Sequence, residues 1–114
     1  MWEGYIMRYR NYTIGGNVVK EDNRYVVTDN TELKNLVVSS TRLNPFKSTS
    51  GHSHAGQEEV YMFIEGHGEM ELNDKTFEVQ PGDTVLIEDG VFHRVHALQD
   101  TLYFICVFDG GRKH

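Results

Sequence analysis

Hydrophobic positions fall into short runs, broken about every 8–12 residues by turn-forming residues, the spacing typical of all-β chains. Strands are expected over Tyr5–Tyr12, Arg24–Thr28, Leu36–Leu43, Glu58–Ile64, Glu69–Leu72, Thr76–Val79, Thr84–Glu88, Phe92–Ala97 and Leu102–Phe108. Gly15-Gly16, Asp29-Asn30, Asn44-Pro45, Gly66-His67-Gly68, Pro81-Gly82-Asp83 and Asp89-Gly90 mark turns between them. Asn73-Asp74 reads as a two-residue hairpin loop, because both residue types tolerate positive φ. No long stretch has a helical period, and the nearest candidate is one turn over Thr31–Asn35. Many short, evenly spaced strands predict an all-β sandwich or barrel.

Alternation assigns the faces. Glu59, Tyr61 and Phe63 share one side of their strand, and Val60, Met62 and Ile64 share the other. Leu102, Phe104, Cys106 and Phe108 oppose Tyr103, Ile105 and Val107 in the same way. A strand wetted on one side alternates apolar with polar, so these two are covered on both. One side faces a barrel interior. The other needs a second layer: either the N-terminal 34 residues fold back over it, or a partner subunit covers it. The partner is the economical answer in so short a chain, and a homodimer is expected.

The chain has 114 residues, enough for one domain, 39% hydrophobic and 25% charged, which are ordinary globular values. Net charge is -6 and uneven: seven Lys/Arg against five Asp/Glu in residues 1–50, but four against twelve in 51–114. No basic footprint for nucleic acid or an anionic membrane surface is visible. No apolar run is long enough to span a bilayer. The N-terminus lacks a basic region followed by an apolar core, and Cys106 is the single cysteine, so a reducing cytoplasmic location is expected.

Five of the six histidines lie between residues 52 and 96, inside the acidic half. His52 and His54 are two apart, so both point to one side of an extended segment. Glu59 opens the next strand after a glycine-containing bend, and His93 follows Asp89-Gly90. Three imidazoles and a carboxylate form a donor set that suits divalent transition metals and leaves coordination positions open.

These residues resemble the cupin family. His52-x-His54-x4-Glu59-x6-Gly66 fits its first motif, and Gly82-x5-Glu88-x-Gly90-x2-His93 fits its second. Two turn positions depart from the pattern: Phe46 stands where the first motif begins with Gly, and Glu88 where the second has Pro. The resemblance implies a small single-domain cupin, a double-stranded β-helix of the jelly-roll type. It places a single domain over residues 1–114, with an N-terminal extension and strands over 1–34 and the barrel core over 35–108. His52, His54, Glu59 and His93 are then the expected metal ligands. The expected cofactor is a divalent ion drawn from Mn, Fe, Zn, Ni or Co, with a small molecule as the ligand beside it.

Tyr61 lies on the inward face next to Glu59, where it either holds a substrate oxygen or serves as an acid, or packs with its hydroxyl satisfied locally. Arg42 is either a clamp for a carboxylate or phosphate or a solvated strand residue, and Cys106 reads as a small core residue. Three functions are open. One is metal-dependent isomerisation or epimerisation of a small sugar or sugar phosphate, since Gly51-His52-x-His54 with Glu59-x-Tyr61 resembles the signature of cupin-type phosphoglucose isomerases. The second is an Fe- or Mn-dependent dioxygenase acting on a small organic substrate. The third is a non-enzymatic small-ligand binding module.

Overall fold

A computed structural model describes residues 6–110 of the chain. They form nine strands: β1 (Asn17–Glu21), β2 (Tyr25–Asn30), β3 (Leu36–Leu43), β4 (Glu59–Glu65), β5 (Gly68–Leu72), β6 (Lys75–Val79), β7 (Thr84–Ile87), β8 (His93–Ala97) and β9 (Leu102–Asp109). No helix occurs among the described residues, and Thr31–Asn35 makes bends instead of the expected helical turn. Asn30 explains this: its side chain accepts from the Glu32 amide at 3.0 Å and donates to the Ile14 carbonyl at 2.6 Å. That local bonding competes with helix formation.

The strands pair antiparallel in two sheets, β1-β2-β3-β9-β4-β7 and β6-β5-β8. This is the all-β architecture expected from the strand spacing, of the jelly-roll type that the resemblance implied. Between the sheets lie Phe63 from β4, Phe104 and Leu102 from β9, Leu43 from β3, Met70 from β5 and Val95 from β8, all fully buried. On β4 the inward row Glu59, Tyr61 and Phe63 is the buried one, while on β9 both rows are buried over Leu102–Cys106, as expected for a strand covered on both sides. The β5–β6 hairpin closes through Leu72↔Lys75, with Asn73 at φ 53° in its two-residue loop.

The N-terminal region differs from expectation. The strand expected over Tyr5–Tyr12 begins outside the described residues, and Ile6–Tyr12 form no strand. Asn11 and Tyr12 both stand at φ 58°, which breaks any extended run. The first strand is instead Asn17–Glu21, exposed along its whole length and held by pairing with β2.

The arm before it covers part of the sheet's outer face. Ile14 packs on Tyr103 and Ile105, with Val38, Met62 and Ile64 around them. The Tyr103 hydroxyl donates to the Tyr12 carbonyl at 2.6 Å, and the Tyr9 hydroxyl bonds Glu32. Folding back thus supplies some of the second layer, while Leu86 on β7 remains 70% exposed.

Candidate metal centre

The segment after β3 runs alongside β8. The Ala97 amide donates to the Lys47 carbonyl and the Thr49 amide to the Val95 carbonyl, both at 2.9 Å. At its end His52 and His93 exchange both backbone bonds, at 3.1 and 2.9 Å. This pairing sets the two imidazoles side by side, with ring centroids 4.5 Å apart. His54 follows two residues later, its ring centroid 4.6 Å from that of His52. The bend after it is tied down by Gly90, whose amide donates to the His54 carbonyl at 3.1 Å.

Glu59 opens β4 on the inward face, paired across the sheet with Ile87 and Phe108. At the other end of β4, Gly66 at φ 83° makes the turn. A Cβ there would meet the Thr101 carbonyl oxygen at 2.1 Å, so the motif glycine has a steric reason. Phe46 keeps the conformation its glycine counterpart would have, at φ 63°, with its amide donating to the Leu98 carbonyl at 2.9 Å. Its ring is 75% exposed, so the departure from the motif leaves the turn intact.

His52, Glu59 and His93 each offer a donor atom, and the three atoms lie within 4.8 Å of one another. His54, the fourth residue expected from the sequence, stands beside His52 and is not among the three clustered donors. The chemistry turns on His93. Its Nδ1 donates to the Val91 carbonyl at 3.0 Å, so in the neutral ring Nε2 carries the lone pair. Nε2 is buried without a hydrogen-bond partner, and Oε2 of Glu59 lies 3.0 Å away. Two electron-rich atoms this close need a proton or a cation between them.

The electrostatics agree. Burial favours neutral Glu59, but His93, His52 and His54 outweigh it and hold the carboxyl below its ordinary value. Burial opposes the charged form of His93, yet Glu59 and the Val91 carbonyl raise it. Burial and the neighbouring imidazoles His93 and His54 lower His52, keeping it neutral and able to donate a lone pair. Nitrogen and carboxylate donors on a tied backbone fit a divalent transition ion.

Beside the trio lies a cavity of about 300 Å³, walled by residues of β1 to β4 and β9. Tyr61, Phe104 and Phe108 make its apolar side, and Ser39, Thr41 and Thr49 add hydroxyls. Tyr61 stacks on Phe104 at 5.3 Å and meets the His93 ring edge-on at 5.6 Å. Burial first, then Cys106 and the Glu59 charge, push the Tyr61 hydroxyl up, so it keeps its proton. Cys106 is a buried core thiol, raised by the same burial.

Two wall residues were not singled out from the sequence, Lys20 and Asp29. Asp29 had been placed in a turn, but it lies in β2, where its alternation with Tyr25 and Val27 was the available signal. Arg42 stands elsewhere: its guanidinium covers the Tyr103 ring at 4.2 Å and pairs with Glu65 at 3.5 Å on the outer face. A larger concavity of about 650 Å³, lined by Phe46, His67 and Asp83 among others, lacks these donors.

Residues 40–108 match the family model of the cupin domain. The chain is a member of the cupin family. The cupin's structural relatives agree with that fold. KdgF from Halomonas sp. superposes with a TM-score of 0.74 at 17% identity, over 84% of this chain and 89% of that one. A predicted oxalate decarboxylase from Thermotoga maritima gives 0.68 at 23%, over 75% and 79%. A two-residue deletion mutant of Bacillus subtilis oxalate decarboxylase OxdC gives 0.75 at 23%, over 83% of this chain but 28% of that one. At these identities the likeness is one of fold. In sequence, the cupin is 41% identical over 44 residues to the uncharacterized protein MJ1618 of Methanocaldococcus jannaschii. That match spans 39% of this chain and 35% of the relative.

Proposed function

We propose that this cupin holds one divalent transition-metal ion through His52, His54, Glu59 and His93, and uses it on a small oxygen-bearing molecule in the adjoining cavity. The observation that carries this reading is the buried, unpartnered Nε2 of His93 facing the Glu59 carboxylate. When bound, such an ion supplies Lewis-acid polarisation of ligand oxygens. The chain's own residues do the rest. The Val91 carbonyl holds the His93 ring in the donor tautomer. Tyr61 and Phe104 exclude water from the inner wall. Asp29 is the wall carboxylate outside the ligand set, and we assign it as the proton acceptor.

A carboxylate on the cavity wall outside the ligand set favours isomerisation or epimerisation of a small sugar or sugar phosphate. Protein loaded with Mn(II), Co(II), Ni(II) or Zn(II) is incubated with aldose and ketose phosphates in deuterated water. Deuterium entering at C2 is the expected result, and no exchange or interconversion across the panel overturns this reading. The aromatic wall of Tyr61, Phe104 and Phe108 favours a second reading, an Fe- or Mn-dependent dioxygenase. Oxygen uptake with Fe(II) and small diols or diketones identifies it. Ligand-induced thermal stabilisation without turnover identifies a binding module instead.

We further propose that the exposed outer apolar residues, Leu86 foremost, are covered in a homodimer. Sedimentation giving twice the chain mass supports this, and a monomer at micromolar concentration overturns it.

A further inference from the structure

One charged group facing the cavity has no role so far. Lys20 lies on β1, and a bulge decides where it points. β1 pairs Val18 with Thr28 and Lys20 with Val27, so Val19 is the extra residue. Without the bulge, Lys20 would fall in the same row as Val18 on the outer face. With it, Lys20 sits opposite Val27, whose side chain packs against the inner core. Its ammonium lies 5.9 Å from the ring centroid of Tyr25, a buried inward residue.

The other nearby cations are engaged. Arg24 is held by Asp22 at 2.8 Å, and Arg94 donates through Nε to the Thr49 carbonyl at 2.8 Å. Arg42 is on the outer face with Glu65. Among the described residues Lys20 forms no ion pair, and it is the one lysine or arginine on the cavity wall. The wall also carries the carboxylates Glu59 and Asp29. A divalent ion at the His/Glu cluster would offset both, so a ligand entering the cavity would meet the otherwise solvated Lys20 ammonium. A dianionic phosphate is matched elsewhere by several converging donors, such as an arginine fork or a helix N-terminus. A lone ammonium with one net positive charge suits a carboxylate. A cavity of about 300 Å³ is at the small end of ligand sites.

We infer that Lys20 anchors the carboxylate of a small hydroxy- or keto-acid, whose adjacent oxygen faces the His52–Glu59–His93 cluster. This rests on the metal reading above, and it is an alternative to the sugar-phosphate reading of the same site. A neutral sugar that displaces water from Lys20 gives the ammonium no counter-charge, so an anionic substrate is preferred over its uncharged analogue.

The test separates the inference from the metal reading. Metal content of wild-type and Lys20→Gln protein is measured first, after loading with Mn(II). Pyruvate, lactate, neutral lactamide and inorganic phosphate are then titrated by calorimetry. The expected result is equal metal content in both proteins. Pyruvate or lactate binds the wild type about tenfold more tightly than lactamide and phosphate do. Lys20→Gln loses about tenfold for the acids and nothing for lactamide, and Lys20→Arg recovers most of the loss. Lys20 is exposed on an edge strand, and retention of the wild-type melting profile shows that the variants fold. Acids binding Lys20→Gln as tightly as wild type, lactamide or phosphate matching the acids, or no acid binding to metal-loaded protein each overturns the inference. Absence of bound metal in the wild type overturns the metal reading instead. In that case undiminished loss of acid binding on Lys20→Gln in the metal-free protein still supports the anchor, and no loss overturns it.

Discussion

The two ends of the barrel are built from the same strands and bury opposite things. β4 passes from Glu59 through Tyr61 to Phe63 along one inward row. β8 passes from His93 through Val95 to Ala97. The closed end holds Phe63, Phe104, Leu43, Met70 and Val95, fully buried and apolar. The open end holds His52, Glu59 and His93, polar groups under partial burial that need a cation or a proton to be satisfied. Burial at the first end holds the fold, and the second end spends that rigidity on placing donors. Changes at the two ends should therefore separate stability from metal binding.

The largest expected effect is at the closed end. Phe63→Ala should cost about 3–5 kcal/mol in denaturant unfolding, because a fully buried ring leaves a cavity. A loss under about 1 kcal/mol would mean that the apolar end does not hold the barrel. At the open end, His93→Ala and Glu59→Ala should each weaken metal binding beyond the roughly 10–100-fold typical of losing an outer-shell partner, while unfolding stays cooperative. Unchanged metal content in either variant removes that residue from the site.

A pH series sharpens the contrast without mutation. In metal-free protein, Glu59 is held below its ordinary 4.5, so its contribution is present above that value and lost as pH falls through the lowered one. His93 is raised above 6.5, so its contribution is present below 6.5 and lost as pH rises through the raised value. The pair therefore stabilises the metal-free chain most between 4.5 and 6.5. Metal requires the deprotonated donors, so the rise in melting temperature on adding Mn(II) or Zn(II) should grow from about pH 5 to 8. A metal-induced rise that shrinks over that range contradicts the donor assignment. The smallest effect is Phe46→Gly, which relieves a left-handed non-glycine residue and gains about 0.5–1 kcal/mol in the same unfolding assay. Destabilisation there would show that the exposed ring makes contacts of its own.

Legibility in the sequence followed the same division. β3 was readable to the residue, and β4 to β9 to within about one, because turn-forming residues bound each of them. The approach of His52, Glu59 and His93 to one another was readable from the motif spacing, which puts each of them at one end of a strand or extended segment. β1 was not, since Asn17–Glu21 has no buried row and exists by pairing with an edge of β2. Lys20 and Asp29 were hidden for the same reason: a bulge and a pairing register decide their facing, and neither is written in local hydrophobicity. The arm over Ile6–Tyr12 was misread as strand because its left-handed residues, Asn11 and Tyr12, are not glycines.

The metal site itself has a direct measurement. Natively purified protein is analysed for its elements, and metal-free protein is then titrated with Mn(II), Co(II), Ni(II) and Zn(II) while its unfolding is followed. The expected result is one divalent transition ion per chain, abolished by Glu59→Ala, with metal raising the melting temperature of the wild type alone. No transition metal in the purified chain, together with no shift on adding any of the four ions, would contradict a metal centre at His52, Glu59 and His93.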